Sequence, residues 1–196
     1  MSSPAAFYDA LFMGDRLTQL AQGFSRSEVH LLCYAGCLLA LYDGRPSSEW
    51  EYDFVSAAGN GLPFAQLVEE GLDSAADVGL VEMRGDMSRL TQAGEEELEL
   101  QKSFSSNRQR DRYLMGASDA LLVFSLGNIR EAFDYDPSIS YLKRNNRAEW
   151  LLDGPSIDRL YSNFQELKKV LAYEAKDLSV PLVTWLKYLI HSGRSL

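Results

Sequence analysis

Between Ser25 and Pro46 the chain carries a segment that is apolar almost all the way round. Val29, Leu32, Cys33, Gly36, Cys37, Ala40 and Leu41 recur at helical spacing, and Leu31, Leu38 and Leu39 widen the arc. A helix apolar on several sides needs cover on several sides, so this one predicts a central position with other elements around it. Ser25 and Ser27 stand where N-caps are wanted and Glu28 where the helix dipole favours an acid, while Asp43-Gly44-Arg45-Pro46 ends the helix with two breakers. Cys33 and Cys37 share one face of it, a spacing that suits packed thiols rather than a zinc knuckle. This cysteine usage fits a reducing, cytoplasmic compartment.

The 196 residues allow one large domain or two small ones, and a 46% share of AVILMFWYC residues excludes wholesale disorder. No run reaches the length of a membrane span, and the opening Met-Ser-Ser-Pro-Ala-Ala-Phe, followed by Asp9 and Asp15, does not read as an export signal. Formal charge is -9, but it is unevenly placed. Residues 1–100 hold 5 Lys/Arg against 17 Asp/Glu, a net of -12, and residues 101–196 hold 14 against 11, a net of +3. The pattern divides the chain into an acidic unit over 1–100 and a helical C-terminal region over 101–196.

In the first unit, residues 6–23 predict a short helix plus a turn, broken at Gly14. Trp50, Tyr52 and Phe54 alternate with acids, as in a strand or extended stretch with its aromatic side buried, and residues 57–61 form a loop. A helix runs from Leu62 to near Gly79, and a hairpin turns at Arg84-Gly85-Asp86-Met87. Thr91 caps a following helix whose opening turns hold Glu95, Glu96 and Glu97.

In the second unit, residues 113–133 predict one core helix loosened at Gly127. Asp134 and Asp136 precede Pro137 as Asx-turn caps rather than as a catalytic acid pair. Residues 142–147 are a basic cluster on an amphipathic helix with Trp150 buried. Ser156 caps a helix to Leu171, with Glu174 on its polar side, and Pro181 opens a last helix ending near Gly193. His30 and His191 have no acid or thiol partner by spacing, and no phosphate loop, dinucleotide fingerprint, zinc signature or nucleophile motif is present. The expectation is therefore a non-enzymatic protein without cofactor or metal.

Helix, helix, small hairpin and a Leu-Thr-x-x-Gly helix start is the layout of a winged helix, and "GLVEMRGDMSRLTQAGEEELE" resembles the wing of such domains. The fold class expected is mainly α, a winged-helix-like domain with a β-hairpin wing plus a helical C-terminal region. The wider span over about residues 25–100 is similar to the Panacea family through "LLCYAGCLLALYDGRP", "EWEYDF", the helix at 62–78 and "RLTQAGEEEL". Gly59-Asn60-Gly61-Leu62-Pro63 stands where that family usually carries a Gly-Pro pair. Members are small bacterial domains, many of them antitoxins or partners in phage-defence loci, so the resemblance implies a neutralising subunit.

A helix that reads DNA ahead of a wing needs Arg, Lys, Asn or Gln at its exposed positions. Here residues 63–78 carry Glu69, Glu70, Asp73 and Asp77, with no basic residue and only Gln66 to donate. These four acids are the candidate surface for a partner subunit with a basic face, complementary charge favouring fast and selective encounter. The alternative is a DNA-binding regulator, working as a homodimer or with another subunit. Its contacts to nucleic acid or an acidic partner would come from Arg84 and Arg89 on the wing, Arg108, Arg110 and Arg112, or Lys143, Arg144 and Arg147.

Overall fold

A computed structural model describes residues 3–56, 61–145, 147–171 and 177–194. Most of the expected loop at 57–61, Asn146 of the basic cluster and Glu174 lie outside the described residues. Within them the chain is mainly helical, with nine α-helices and two two-stranded antiparallel ribbons.

The Ser3 hydroxyl caps helix α1 (Pro4–Ala21), and Pro4 at its start sacrifices no hydrogen bond. It is one continuous helix, not the short helix plus turn expected from Gly14. That glycine serves a close approach instead: a Cβ there would stand 3.0 Å from the Phe24 ring. Helix α2 (Arg26–Asp43) opens on a capping box in which the Ser25 N–H donates to Glu28 Oε2 at 2.7 Å. It closes on Gly44, whose φ of 95° suits a residue without Cβ. Every residue from Val29 to Tyr42 is buried, so α2 holds the central place its sequence predicts.

A 3-10 turn (Ser47–Trp50) leads to the ribbon of β1 (Val55–Ser56) and β2 (Pro63–Phe64). Trp50, Tyr52 and Phe54 are all buried, as their alternation predicts. Helix α3 (Gln66–Asp77) then packs on α1, with Gly71 allowing backbone contact, since a Cβ there would lie 3.1 Å from Phe7 Cα. Strands β3 (Val81–Arg84) and β4 (Met87–Leu90) form the hairpin in the expected register, Arg84 facing Met87. Phe24 bridges Ser88 and fastens the hairpin to the α1–α2 connection. The Thr91 hydroxyl caps helix α4 (Gln92–Lys102).

The second half departs further from the periodicity. The expected core helix over 113–133 is broken into α5 (Arg108–Asp119), a 3-10 turn (Ala120–Leu122) and α6 (Leu126–Asp134). Ser125, not Gly127, marks the break, because its extended backbone lets its hydroxyl cap α6. Leu122 and Val123 are exposed at the corner, so the all-round apolar pattern overstated burial there. Asp136 caps α7 (Pro137–Arg144), accepting from the N–H groups of Ser138 and Ile139. Next, residues 147–151 run extended beside β1 rather than on an amphipathic helix, and Trp150 is exposed rather than buried. Helices α8 (Gly154–Leu171) and α9 (Ser179–Gly193) close the chain. Helix α8 begins before Ser156, its expected cap, while Pro181 sits in the first turn of α9 as predicted.

Helix α2 packs most extensively against α5, with α1, α3, α8 and α9 around it. The core is a single cluster drawing on side chains from both sides of residue 100, which itself lies within α4.

Candidate interaction surface

Helix α3 buries Val68, Gly71, Leu72 and Ala75 and turns its acids outward. The four are not equivalent. Arg26, at the start of α2, donates through Nη1 to Glu69 Oε1 and to Asp73 Oδ1, each at 2.6 Å. Glu69 also accepts from His30: Nε2 lies 2.8 Å from its Oε2. The Ala65 N–H reaches His30 Nδ1 at 3.3 Å, which makes Nδ1 the acceptor and leaves the Nε2 proton for Glu69. His30 is buried with its ring 4.7 Å from Phe64, so it joins α2, β2 and the first turn of α3. Hydrogen bonding from His30, then from Arg26, pulls the Glu69 carboxyl below its ordinary range despite partial burial. This overturns the expectation that His30 lacks an acidic partner, since the pair is 39 residues apart and only the α2–α3 crossing brings it together.

Glu70 and Asp77 stand outside this cluster. Asp77 is exposed, Glu70 is half-exposed beside Gln66, and neither makes an ion pair among the described residues. Asp73 is exposed as well, although Arg26 holds it. Beyond the hairpin, Glu95, Glu96 and Glu99 of α4 are also exposed. On the β3–β4 hairpin, Arg84 pairs with Glu82 at 2.7 Å, and the Arg89 Nε–H donates to the Gln22 carbonyl at 2.6 Å.

The C-terminal basic candidates separate too. Arg110 is not the surface contact expected of it. It is buried, clamps the fully buried Asp9 with two N–H groups, donates to the Trp50 carbonyl at 3.0 Å and lies over the Trp50 ring. Its guanidinium is engaged inside the fold and is not part of an exposed basic surface. Arg108 is exposed, while Arg112 lies 3.4 Å from Asp43. Lys143 is bound to Asp134 at 2.8 Å and Arg147 to Glu149 at 3.2 Å, leaving Arg144 exposed without an ion pair among the described residues. The basic cluster is therefore largely paired with nearby acids, Lys143 with one nine positions before it and Arg147 with one two positions after.

Both cysteines lie buried on α2. Burial pushes the thiols of Cys33 and Cys37 up, away from the thiolate form. Among the described residues no three His, Cys, Asp or Glu side chains gather as a metal-binding group. A cavity of about 110 Å³ lies between the end of α2 and α5, lined by Arg45, Glu49, Trp50, Gln109 and Tyr113, with both signs of charge on its walls. No helix among the described residues is long and apolar enough to cross a membrane. Comparison with models of protein families, with curated proteins and with solved structures finds no match to this chain.

Proposed function

We propose that this chain is a non-enzymatic protein-binding adaptor or neutralising subunit that docks a basic surface of its partner on the acidic face of α3. The order of helices and hairpin over residues 4–102 supports a winged-helix-like arrangement with α3 ahead of the wing. One observation carries the reading: α3 presents Glu70, Asp73 and Asp77 outward and no cation of its own, and Arg26, the Lys or Arg paired with its acids among the described residues, is held between Glu69 and Asp73. Phosphates would be repelled from such a face, whereas a basic protein surface is attracted and steered to it. The resemblance of residues 25–100 to antitoxin and phage-defence partners narrows the role to neutralising a toxic or nucleic-acid-acting subunit.

The test is native affinity purification of the wild type beside a Glu70→Lys/Asp77→Lys variant, with light scattering on what is recovered. A stoichiometric basic partner that the variant loses, and whose association weakens with salt, supports the proposal. Retention by the variant removes the α3 surface from it. Recovery instead as a dimer with duplex DNA, bound with a steep salt dependence in polarisation titrations, establishes the regulator.

A further inference from the structure

Residues 149–151 lie antiparallel to β1, with the Ser56 N–H donating to the Glu149 carbonyl and the Leu151 N–H to the Phe54 carbonyl, both at 2.9 Å. These bonds flank Val55 and Trp150, which therefore face each other as a non-hydrogen-bonded pair with side chains on one face. Leu151 and Phe54 point the other way, into the core, and fix the strand. By the same alternation Asp53 shares the outer face with Trp150, while Leu152, in the turn that follows, packs partly against the core at the edge of that face. The result is a depression of about 220 Å³ lined by Asp53, Phe54, Trp150, Leu152 and Asp153.

Trp150 is 56% exposed although its backbone is anchored on both sides, so an aromatic face is held ready for contact rather than folded away. No cation of the described chain lies over its ring, and Asp53 makes no ion pair among the described residues. Asp153 keeps one carboxylate oxygen on the Gly154 N–H. The nearest cation in sequence, Arg147, is bound to Glu149.

We propose that this depression receives an arginine side chain of a partner protein, the guanidinium stacking on Trp150 between the carboxylates of Asp53 and Asp153. A guanidinium is planar, weakly hydrated and able to donate to two carboxylates at once, which matches an indole wall flanked by two acids better than a strongly hydrated ammonium or metal ion does. The site lies on the β1 ribbon and uses no residue of α3, so it stands or falls separately from the acidic face proposed above.

The probe is N-acetyl-arginine methylamide titrated into the full chain, read at the indole N–H resonances of Trp50, Trp150 and Trp185. The expected result is a saturable shift confined to Trp150, since the other two indoles are buried. N-acetyl-citrulline methylamide, of the same shape without the charge, produces none. Asp53→Asn/Asp153→Asn, two exposed positions outside the core, weakens the arginine probe by roughly fivefold or more. Equal shifts with citrulline, an unchanged affinity in the double variant, or no Trp150 shift up to the solubility limit of the probe overturns the site. A lysine analogue binding as tightly overturns the guanidinium assignment.

Discussion

Asp9 has no exposure at all, and a carboxylate in that position is tolerable only while Arg110 faces it with two N–H groups and Tyr52 donates to it at 2.6 Å. The attraction of Asp9 holds the guanidinium charged although burial works against it. Arg110→Ala is expected to lower stability by about 3–5 kcal/mol because it strands a buried charge, whereas Asp9→Leu/Arg110→Met loses much less. Urea midpoints of the three proteins check this. Asp136 shows the opposite balance. Burial raises its carboxyl above the ordinary value although two N–H groups at the start of α7 favour the charged form. A raised carboxyl binds its proton more readily folded than unfolded, so its ionisation works against the fold as pH rises through that range. Asp136→Asn, which keeps an acceptor without the charge, is expected to match or exceed wild-type stability at pH 7 and to lose that advantage in acid. Asp136→Ala removes the cap and costs about 1 kcal/mol. Thermal melts across pH separate the two effects.

At the scale of the element, α3 is held at its first turn by the His30–Glu69–Arg26 cluster. The Glu69 carboxyl titrates below its ordinary range, so its contribution is present above that range and is lost as pH falls through the lower, folded value. Glu69→Gln is expected to destabilise the protein at neutral pH, with the gap to wild type closing in acid, as denaturation followed at several pH values reports. Helix α4 depends on a glycine. A Cβ at Gly94 would collide with the Leu80 carbonyl oxygen and press on Leu90, so Gly94→Ala forces α4 away from the base of the β3–β4 hairpin. The expected loss is about 1–3 kcal/mol, measured by urea unfolding. Caps and turns were legible at this scale because they act between near neighbours: Ser25 with Glu28, Thr91, Asp136 and the Gly85 turn all stand where the sequence puts them. The break at Ser125 and the extended run before Trp150 were not, because apolar periodicity does not tell whether a neighbouring element covers each side.

On the scale of the molecule, α2 is covered by elements from both halves, with α5 its broadest neighbour. A chain cut after Lys102 leaves the α5 face of α2 bare. It is expected to aggregate or to bind a dye for exposed apolar surface, while the full chain melts in one transition. Calorimetry and dye fluorescence check both. The charge asymmetry remains a surface property, and its two halves differ in how far it is available. In the first, Glu70 and Asp77 stay free of ion pairs among the described residues, while Glu69 and Asp73 are tied to Arg26. In the second, Lys143 and Arg147 of the basic cluster are answered by Asp134 and Glu149, and Arg112 ahead of it by Asp43.

By itself the sequence determined the mainly helical class, the central place of the 26–43 helix, the hairpin, the helix caps at Ser25, Thr91 and Asp136, and the acidic character of α3. Each of these depends on periodicity, on residues a few positions apart or on simple charge counting. Only the tertiary structure decided that Arg110 is a buried counter-ion, that His30 holds Glu69, that Gly14 admits Phe24 and that Trp150 stands exposed on a ribbon edge. Those outcomes turn on pairs some ten to a hundred residues apart, and whether a charge is available or an aromatic is covered depends on which helix lands beside it.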